Sequence, residues 1–570
     1  MSTHTTDYAQ LAETLRALGI ECDMSRDVRM HYATDESVFA VMPELIVFPK
    51  DTAQVQTLVR TVRELNQQGS EFSLTPRAAG TGLSGGSLND SVIVDVMKYL
   101  THIGEHSVLA DGTAQISTQP GALFRDFDAH TKKLGFFLPP YPSSRDICTV
   151  GGMVANNAAG PDSLKYGHTA RYVAELEVVL YDGWAHTLKP LRFDELCDAL
   201  REDTALGAVY RSVWPLIEDN FSTMQAGRPA SSKNSSGYAI WDVLQADSIE
   251  SFKAGEGTFS LIPLFAGSQG TLGIITNIVF SVIPETEVSD VLVVPIQRIE
   301  TLGEIVQSLL QHNPRNVEIF DDRTYKLARS NLFFFRKQFY ARSMLQYMRF
   351  LFHFWMNELF AFKQHTPAFV LLVTFDGATK AEAAKELEAA YTRLHAGGRR
   401  VWRVRNTGRA EMFWKIRFAS YSLAKLGKEN RRPAAFLEDM VIPPQHLPEF
   451  LTELTKLLQT HEAEYAMHGH GGDGHFHFYP LLDFTDPDTP GKIKRMADEC
   501  FALARVYKGN ICGEHNDGII RTPYLSQLFS QEILDTFVSI EHAFDPNDIF
   551  NPGKKVHPKF DIISYIRKTN

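Results

Sequence analysis

Apolar residues recur at helical spacing just after Pro49 and Asp51: Val55, Leu58, Val59, Val62 and Leu65. Aspartate at a helix start accepts hydrogen bonds from orphan backbone N–H groups, so the spacing predicts a helix opening on Asp51. A short apolar run, SVIVDV at 91–96, predicts a strand. Between the two lies a glycine-rich stretch, PRAAGTGLSGGS at 76–87. Further glycine-rich stretches at 150–167 (VGGMVANNAAGPDSLKYG) and 267–273 (GSQGTLG) read as turns. They precede or split strand-like runs, ELEVVLYDG at 175–183 and GIITNIVFSVI at 273–283. Residues 1–285 therefore read as one α+β domain whose glycine turns face one ligand. From 286 to 490, VLVVPI and FVLLVTF alternate with the helical patterns TLGEIVQSLLQ and TKAEAAKELEAAYTRLH. That alternation predicts a second α+β domain with an antiparallel sheet. Residues 491–570 read as helical with a loop tail, FDPNDIFNPGKK.

The segment 332–363 breaks the pattern. It holds twelve aromatics and five Lys/Arg with a single acid, Glu358. Such a stretch fits a membrane interface, with Phe333, Phe334, Phe335, Phe350, Phe352, Phe354 and Trp355 inserted. Arg336, Lys337, Arg342 and Arg349 would then meet anionic headgroups. It fits a helical hairpin buried in the second domain equally well.

Composition narrows the class. At 570 residues, with 44% hydrophobic and 22% charged residues, the chain reads as a multidomain globular protein. A net charge of −11 argues against a nucleic-acid partner. The five cysteines are dispersed, with no CxxC, which fits a reducing, cytoplasmic compartment and no disulfide framework or iron–sulfur cluster. The first fifteen residues carry no basic region leading into an apolar run, so no secretory leader is expected.

The densest chemistry is HGHGGDGHFH at 468–477, followed by GEHNDG at 513–518. Four histidines, His468, His470, His475 and His477, sit in ten residues. His470 and His477 flank the Gly-Gly-Asp-Gly turn, so two imidazoles can converge on one divalent metal, zinc fitting best. Glu514 offers a carboxylate and His515 a base beside it.

Gly80, Gly82 and Gly85 spell GxGxxG, the signature of a nicotinamide-binding turn. That motif needs a helix after it, and here a strand-like run follows. A glycine loop between strands can still cradle a pyrophosphate through its backbone N–H groups.

Six motifs occur in order: PRAAGTGLSGGS, VGGMVANNAAG with YGHTARYV, GSQGTLGIIT, GHGGDGHFH, GEHNDG and DPNDIFNPGK. Together they resemble the FAD-linked 2-hydroxyacid dehydrogenases: the D-lactate, D-2-hydroxyglutarate and glycolate branch of the vanillyl-alcohol-oxidase flavoprotein superfamily. The resemblance spans about residues 28–556. It implies an FAD domain, an antiparallel-sheet substrate (cap) domain and a C-terminal segment returning to the flavin. It implies that Arg77, Ala79, Gly80, Thr81, Gly82, Leu83, Ser84, Gly85, Gly86 and Ser87 wrap the FAD pyrophosphate. Ser144, Thr149, Gly151, Gly152 and Asn156 would line a second flavin loop. Gly270, Thr271, Gly273 and Ile275 would lie toward adenine and ribose, and Asn551 and Lys554 would approach the isoalloxazine. Some relatives attach FAD through a histidine in the first loop; this loop has none, which implies non-covalent FAD.

The resemblance further implies that His470, His477 and Glu514 hold a metal, that His515 is the base, and that Asp473 braces the turn or a ligand imidazole. Arg417, in Trp414-Lys415-Ile416-Arg417 ahead of FLEDMVIP, would clamp the substrate carboxylate, with Lys425, Lys428 or Arg432 secondary. Two departures stand out. GDGHFH places His475 where relatives commonly carry asparagine near the substrate, which also makes His475 the next candidate base. GEHNDG replaces the common GEHGIG, and both changes are expected to reshape the pocket.

The leading reading is an FAD-dependent D-2-hydroxyacid dehydrogenase. It would pass electrons to a quinone, a cytochrome or an iron–sulfur protein, in the cytoplasm or peripherally on the cytoplasmic face of the membrane. An FAD-binding subunit of a larger oxidoreductase is the alternative. A metallohydrolase fits less well, because His468-Gly-His470-Gly-Gly-Asp473 lacks its H-x-H-x-D-H spacing.

Overall fold

The computed structural model describes residues 7–360, 366–405, 407–426 and 430–567. Three sheets carry the fold. In the first, strands run in the order Glu21–Asp23, Leu45–Phe48, Val92–Asp95, Leu74–Arg77, the last three parallel. The expected helix, Thr52–Gln67, crosses between Leu45–Phe48 and Leu74–Arg77. Asp51 accepts the Gln54 N–H, and Val55, Leu58, Val59 and Val62 are buried against the sheet. The glycine loop 78–91 thus joins two parallel neighbours, strand to strand with no intervening helix.

The second sheet is antiparallel and has Ile274–Pro284 at its centre, paired with Ala114–Thr118 and Val173–Val179. One expectation needs correcting here. The second glycine-rich stretch is not only a turn, since Val150–Asn156 is a two-turn helix capped by the Thr149 hydroxyl, which accepts the Gly152 N–H. Helical spacing was hidden because glycine and alanine fill the positions that would show it.

The third sheet is antiparallel and eight-stranded. Val291–Ile296, Phe369–Thr374 and Asn316–Asp321 lie beside the hairpin Tyr465–His470/His475–Asp483. Its apolar strands are buried on both faces, which is why they read as continuous rather than alternating. Leu292, Val294, Leu371 and Val373 face one core; Val293, Val370 and Leu372 face another.

That second core settles half of the question about 332–363. Leu332–Phe339 and Met344–Phe360 are helices, and Phe335, Tyr340, Tyr347, Phe350 and Phe354 are buried with Val293, Val370 and Leu372. Phe335 stacks on Phe350 at 4.8 Å between ring centroids. Burying each such ring contributes about 1.5–3 kcal/mol. Phe335, Phe350 and Phe354 are therefore core residues and not membrane anchors, and Phe334 is half-buried. The opposite stripe, Leu345, Met348, Phe352 and Trp355, is exposed, as is Phe333. Residues 361–363 lie outside the described residues. Among the described residues, no helix is long and apolar enough to cross a membrane.

The C-terminal segment returns to the first sheet. Phe550 bridges Leu74, and the Asn551 amide donates to the carbonyls of Gly86 and Gln269, tying two glycine loops together.

Candidate active site

Strand alternation explains the histidine decapeptide. In the hairpin, His470 pairs with His475 and His468 with His477. Residues two apart share a face of a strand, and so do directly opposed pairs. All four imidazoles therefore lie on one face, while Met467, Phe476 and Phe478 pack into the core on the other. The turn requires Gly474. Its φ is +64°, and a Cβ there would stand 1.9 Å from the Ile442 carbonyl oxygen.

Glu514 reaches this face from the loop at 513–518. Its Oε1 lies 3.1 Å from His470 Nε2, 3.5 Å from His477 Nε2 and 3.7 Å from His515 Nε2. Its Oε2 lies 2.6 Å from Lys233 Nζ and 3.8 Å from His475 Nδ1. One ligand atom from each of His470, His475, His477 and Glu514 lies within 4.8 Å of all the others. Nitrogen and carboxylate donors gathered this closely fit a divalent cation such as zinc.

The ionisation states differ within the cluster: burial opposes charge on His470, yet Glu318 and Glu514 raise its pKa above the ordinary imidazole value. Burial is the main cause that pushes His468, His475 and His477 well below the ordinary imidazole range, leaving each neutral. Burial works against the Glu514 carboxylate, but Lys233 and His470 outweigh it and hold its pKa well below the usual carboxylate range. Burial likewise opposes charge on His515, yet Asp439, Glu438 and Glu514 together raise it.

A ring of buried charge supports the cluster. His470 donates from Nδ1 to Glu318 Oε1 at 2.5 Å, and Arg417 holds the other Glu318 oxygen at 2.6 Å. Asp439 accepts the backbone N–H groups of Glu514 and His515, each at 2.9 Å. Lys233, Glu318, Glu438 and Asp439 were not singled out from the sequence. A signal existed for three of them: acids inside the apolar strands NVEIFD and FLEDMV. Lys233, in SSKNSSG, gave none.

The predicted residues fall into three groups. A cavity of roughly 530 Å³ is lined by Arg77, Ala79, Gly80, Thr81, Gly82, Leu83, Ser84, Gly86 and Ser87. Ser144, Thr149, Gly151, Gly152, Asn156, Gly270, Gly273 and Ile275 line it too, as do Arg417, His468, His477, Glu514 and His515. That size and that wall of backbone suit an extended cofactor. Arg77 lines the cavity, and its guanidinium donates to the carbonyls of Tyr32 and Thr34, bracing the loop.

The second group supports the cavity from behind. Gly85 meets Phe39 and Ile519, and the Thr271 hydroxyl meets Tyr238. Asn551 ties the loops, and the Lys554 ammonium is buried over the Phe560 ring at 4.0 Å. Asn516 and Asp517, the GEHNDG departure, are fully buried and point to Gly267, Lys555 and Gly237. They shape the scaffold and leave the pocket wall alone.

In the third group the expected role and the observed place differ. His475 is fully buried inside the imidazole cluster and is not among the residues that line the cavity. Asp473 faces Lys233 at 3.8 Å, while the ligand imidazoles are braced by other groups. Lys425 lines the cavity and pairs with Glu36 at 2.7 Å. Arg432 is exposed on the strand Arg431–Pro433, and Lys428 lies outside the described residues.

Comparison with known proteins agrees with this geometry. Residues 43–189 match the family described as FAD binding domain, and residues 285–555 match FAD linked oxidases, C-terminal domain. The chain is 27% identical to a D-2-hydroxyglutarate dehydrogenase of Escherichia coli (strain K12), over 93% of this chain and 50% of that protein. It thus spans about half the length of the curated D-2-hydroxyglutarate dehydrogenases it matches. It is 28% identical to a D-lactate dehydrogenase of Anaerostipes hadrus, over 90% of this chain and 89% of that protein. Among solved structures it resembles p-cresol methylhydroxylase, with a TM-score of 0.66 at 15% identity, covering 97% of this chain and 98% of the other; this concerns the fold alone.

Proposed function

We propose, for a chain that belongs to the family of FAD-linked oxidases, that it oxidises a D-2-hydroxy acid of the D-lactate or D-2-hydroxyglutarate type to the 2-oxo acid. One observation carries the reading. His477 and Glu514 of the imidazole–carboxylate cluster, with His515 beside them, line the same cavity that the glycine loops wall. We take the glycine loops as the seat of non-covalent FAD, and His470, His477 and Glu514 as the holders of a divalent cation, zinc by its ligand chemistry. FAD held by the glycine loops would supply an acceptor for the C2 hydrogen with its electron pair, and a cation held by His470, His477 and Glu514 would favour ionisation of the substrate hydroxyl.

The chain's own residues supply the rest. His515 is the most exposed imidazole of the site, its side chain 18% accessible, and its Nε2 takes the hydroxyl proton. Asp439 fixes its backbone and Glu438 approaches its Nδ1 at 3.4 Å, which orients the ring. Arg417 stands at the cavity wall and offers the substrate carboxylate a planar fork, with Lys425 as a second cation. A dye-linked screen of paired D- and L-2-hydroxy acids, with detection of the 2-oxo acid, tests the assignment. Turnover of a D-acid supports it; no turnover with any 2-hydroxy acid in FAD-loaded, zinc-loaded protein contradicts it.

Arg417→Lys keeps the charge and loses the fork. It is expected to raise KM and to lower kcat/KM by about 10²-fold, the cost of roughly an ångström of misplacement. Because Arg417 also holds Glu318, zinc content is measured alongside. Unchanged KM with full zinc content moves the carboxylate clamp to Lys425.

We further propose that electrons leave to a quinone at a membrane surface. The exposed stripe Leu345, Met348, Phe352 and Trp355 is accompanied by exposed Arg336, Lys337, Arg342 and Arg349, and Gln338 and Phe339 line the cavity beside it. Each basic residue near an anionic surface contributes about 1 kcal/mol, screened by salt, and inserted apolar side chains add to it. Cosedimentation with anionic liposomes is expected to be salt-sensitive. Joint Arg336→Glu and Arg342→Glu should weaken it at least about tenfold and leave dye-linked activity intact. Absence of cosedimentation points to a cytochrome or iron–sulfur protein as acceptor.

A further inference from the structure

The hairpin presents three imidazoles to Glu514, and each has one ring nitrogen engaged by an oxygen. His470 donates from Nδ1 to Glu318 Oε1. His477 donates from Nδ1 to the Glu438 carbonyl. His475 donates from Nε2 to Asp439 Oδ1 at 2.9 Å. A ring nitrogen that donates outward leaves its partner nitrogen with a bare lone pair, and metal-binding histidines are held in this way by a carboxylate or carbonyl behind them. The other ring nitrogens, Nε2 of His470, Nε2 of His477 and Nδ1 of His475, all face Glu514, with His470 Nε2 in hydrogen-bond contact with Glu514 Oε1 at 3.1 Å.

His475 has nothing else to do with its free nitrogen. Its side chain is 0% exposed, and Nδ1 has no hydrogen-bond partner within the protein. A buried polar atom without a partner costs about 1–3 kcal/mol, so its persistence calls for a reason. The ring is not free to swing toward the cavity. Asp439 holds one edge, and Gly513 comes so near that a Cβ there would stand 3.0 Å from Nε2. Asp439 itself is locked by the backbone N–H groups of Glu514 and His515. One carboxylate therefore sets His475, Glu514 and His515 in common register.

We propose that His475 is a direct metal ligand, completing a three-imidazole, one-carboxylate site with His470, His477 and Glu514, and that Asp439 is its positioning residue. This rests on the reading that His470, His477 and Glu514 hold a divalent cation. Typical Zn–N and Zn–O bonds of about 2.0–2.2 Å bring donors closer together than the present spread of up to 4.8 Å, so the four side chains close in slightly. Three imidazoles also bias the site toward zinc and against magnesium or calcium, which prefer oxygen.

The test uses FAD-loaded enzyme and zinc alone as probe. Competition against a chromophoric chelator is expected to show His475→Asn binding zinc about 100-fold or more weakly than the parent, beyond the roughly 10–100-fold that loss of an outer partner costs. Asp439→Asn is expected within that outer-partner range. His468→Asn, on the same hairpin face but outside the four-residue cluster, should bind zinc like the parent. X-ray absorption of the zinc-loaded parent, which needs no variant, is expected to fit three imidazoles. Equal zinc affinity of parent and His475→Asn, or a two-imidazole spectrum, overturns this inference and leaves the three-ligand reading standing. A parent that binds neither zinc nor another divalent ion overturns both.

Discussion

His515→Asn will slow the reductive half-reaction by roughly 10²–10⁴-fold, the usual contribution of a positioned general base. The magnitude follows from what asparagine keeps and what it loses. It preserves a polar side chain of similar reach at Nδ1, so the contact toward Glu438 and the backbone hydrogen bond to Asp439 survive. It has no lone pair with imidazole basicity to accept the hydroxyl proton. The His515 ring stacks on His477, with centroids 5.1 Å apart, so zinc content and flavin spectrum are controls. Stopped-flow reduction at the parental rate, with both controls normal, removes His515 from the role. His475, whose ring lies 4.5 Å from that of the cavity-lining His477, is then the next imidazole to test.

Removing the divalent ion will abolish turnover while FAD stays bound. The two ligand sets are distinct: the glycine loops that wall the cavity supply none of the His470–His475–His477–Glu514 donors, although His477 and Glu514 line that cavity too. An aliphatic hydroxyl is a very weak acid. Zinc lowers the pKa of bound water to about 7, and a comparable effect on the substrate hydroxyl brings it within reach of an imidazole. Without it, His515 faces a proton-transfer gap of many pKa units. Chelated enzyme is therefore expected to keep its yellow colour, lose dye-linked activity and regain it with zinc. Full activity in protein shown by elemental analysis to hold no divalent metal contradicts the metal's part.

The fold was legible where burial imposes a period. Asp51 with Val55, Leu58, Val59 and Val62 gave a helix because one face meets a sheet. The alternation in HGHGGDGHFHF gave a site because period-2 geometry puts every histidine on one face. Two things were not legible. Val150–Asn156 is helical, yet its glycines and alanines carry no amphipathic signal. The aromatic helices 332–360 bury one stripe and expose another, and aromatic content alone cannot separate a core stripe from a surface stripe. Within the site, local spacing gave His470, His477, Glu514 and His515. It could not show that Lys233, Glu318 and Asp439 meet them, since these arrive from other strands and loops, although acids inside apolar strands marked the last two. Their contribution is electrostatic and depends on which charges the fold buries together. The same long-range pairing relocates His475, since the acid that turns its ring is 36 residues away in the chain.

The most direct measurement is flavin absorbance on anaerobic mixing of the FAD- and zinc-loaded protein with matched D- and L-2-hydroxy acids, beginning with D-2-hydroxyglutarate and D-lactate. The account predicts bleaching in a single turnover by a D-acid, one 2-oxo acid formed per flavin reduced, and an inert L-enantiomer. A flavin that stays oxidised with every D-2-hydroxy acid, or that is bleached equally by both enantiomers, contradicts it.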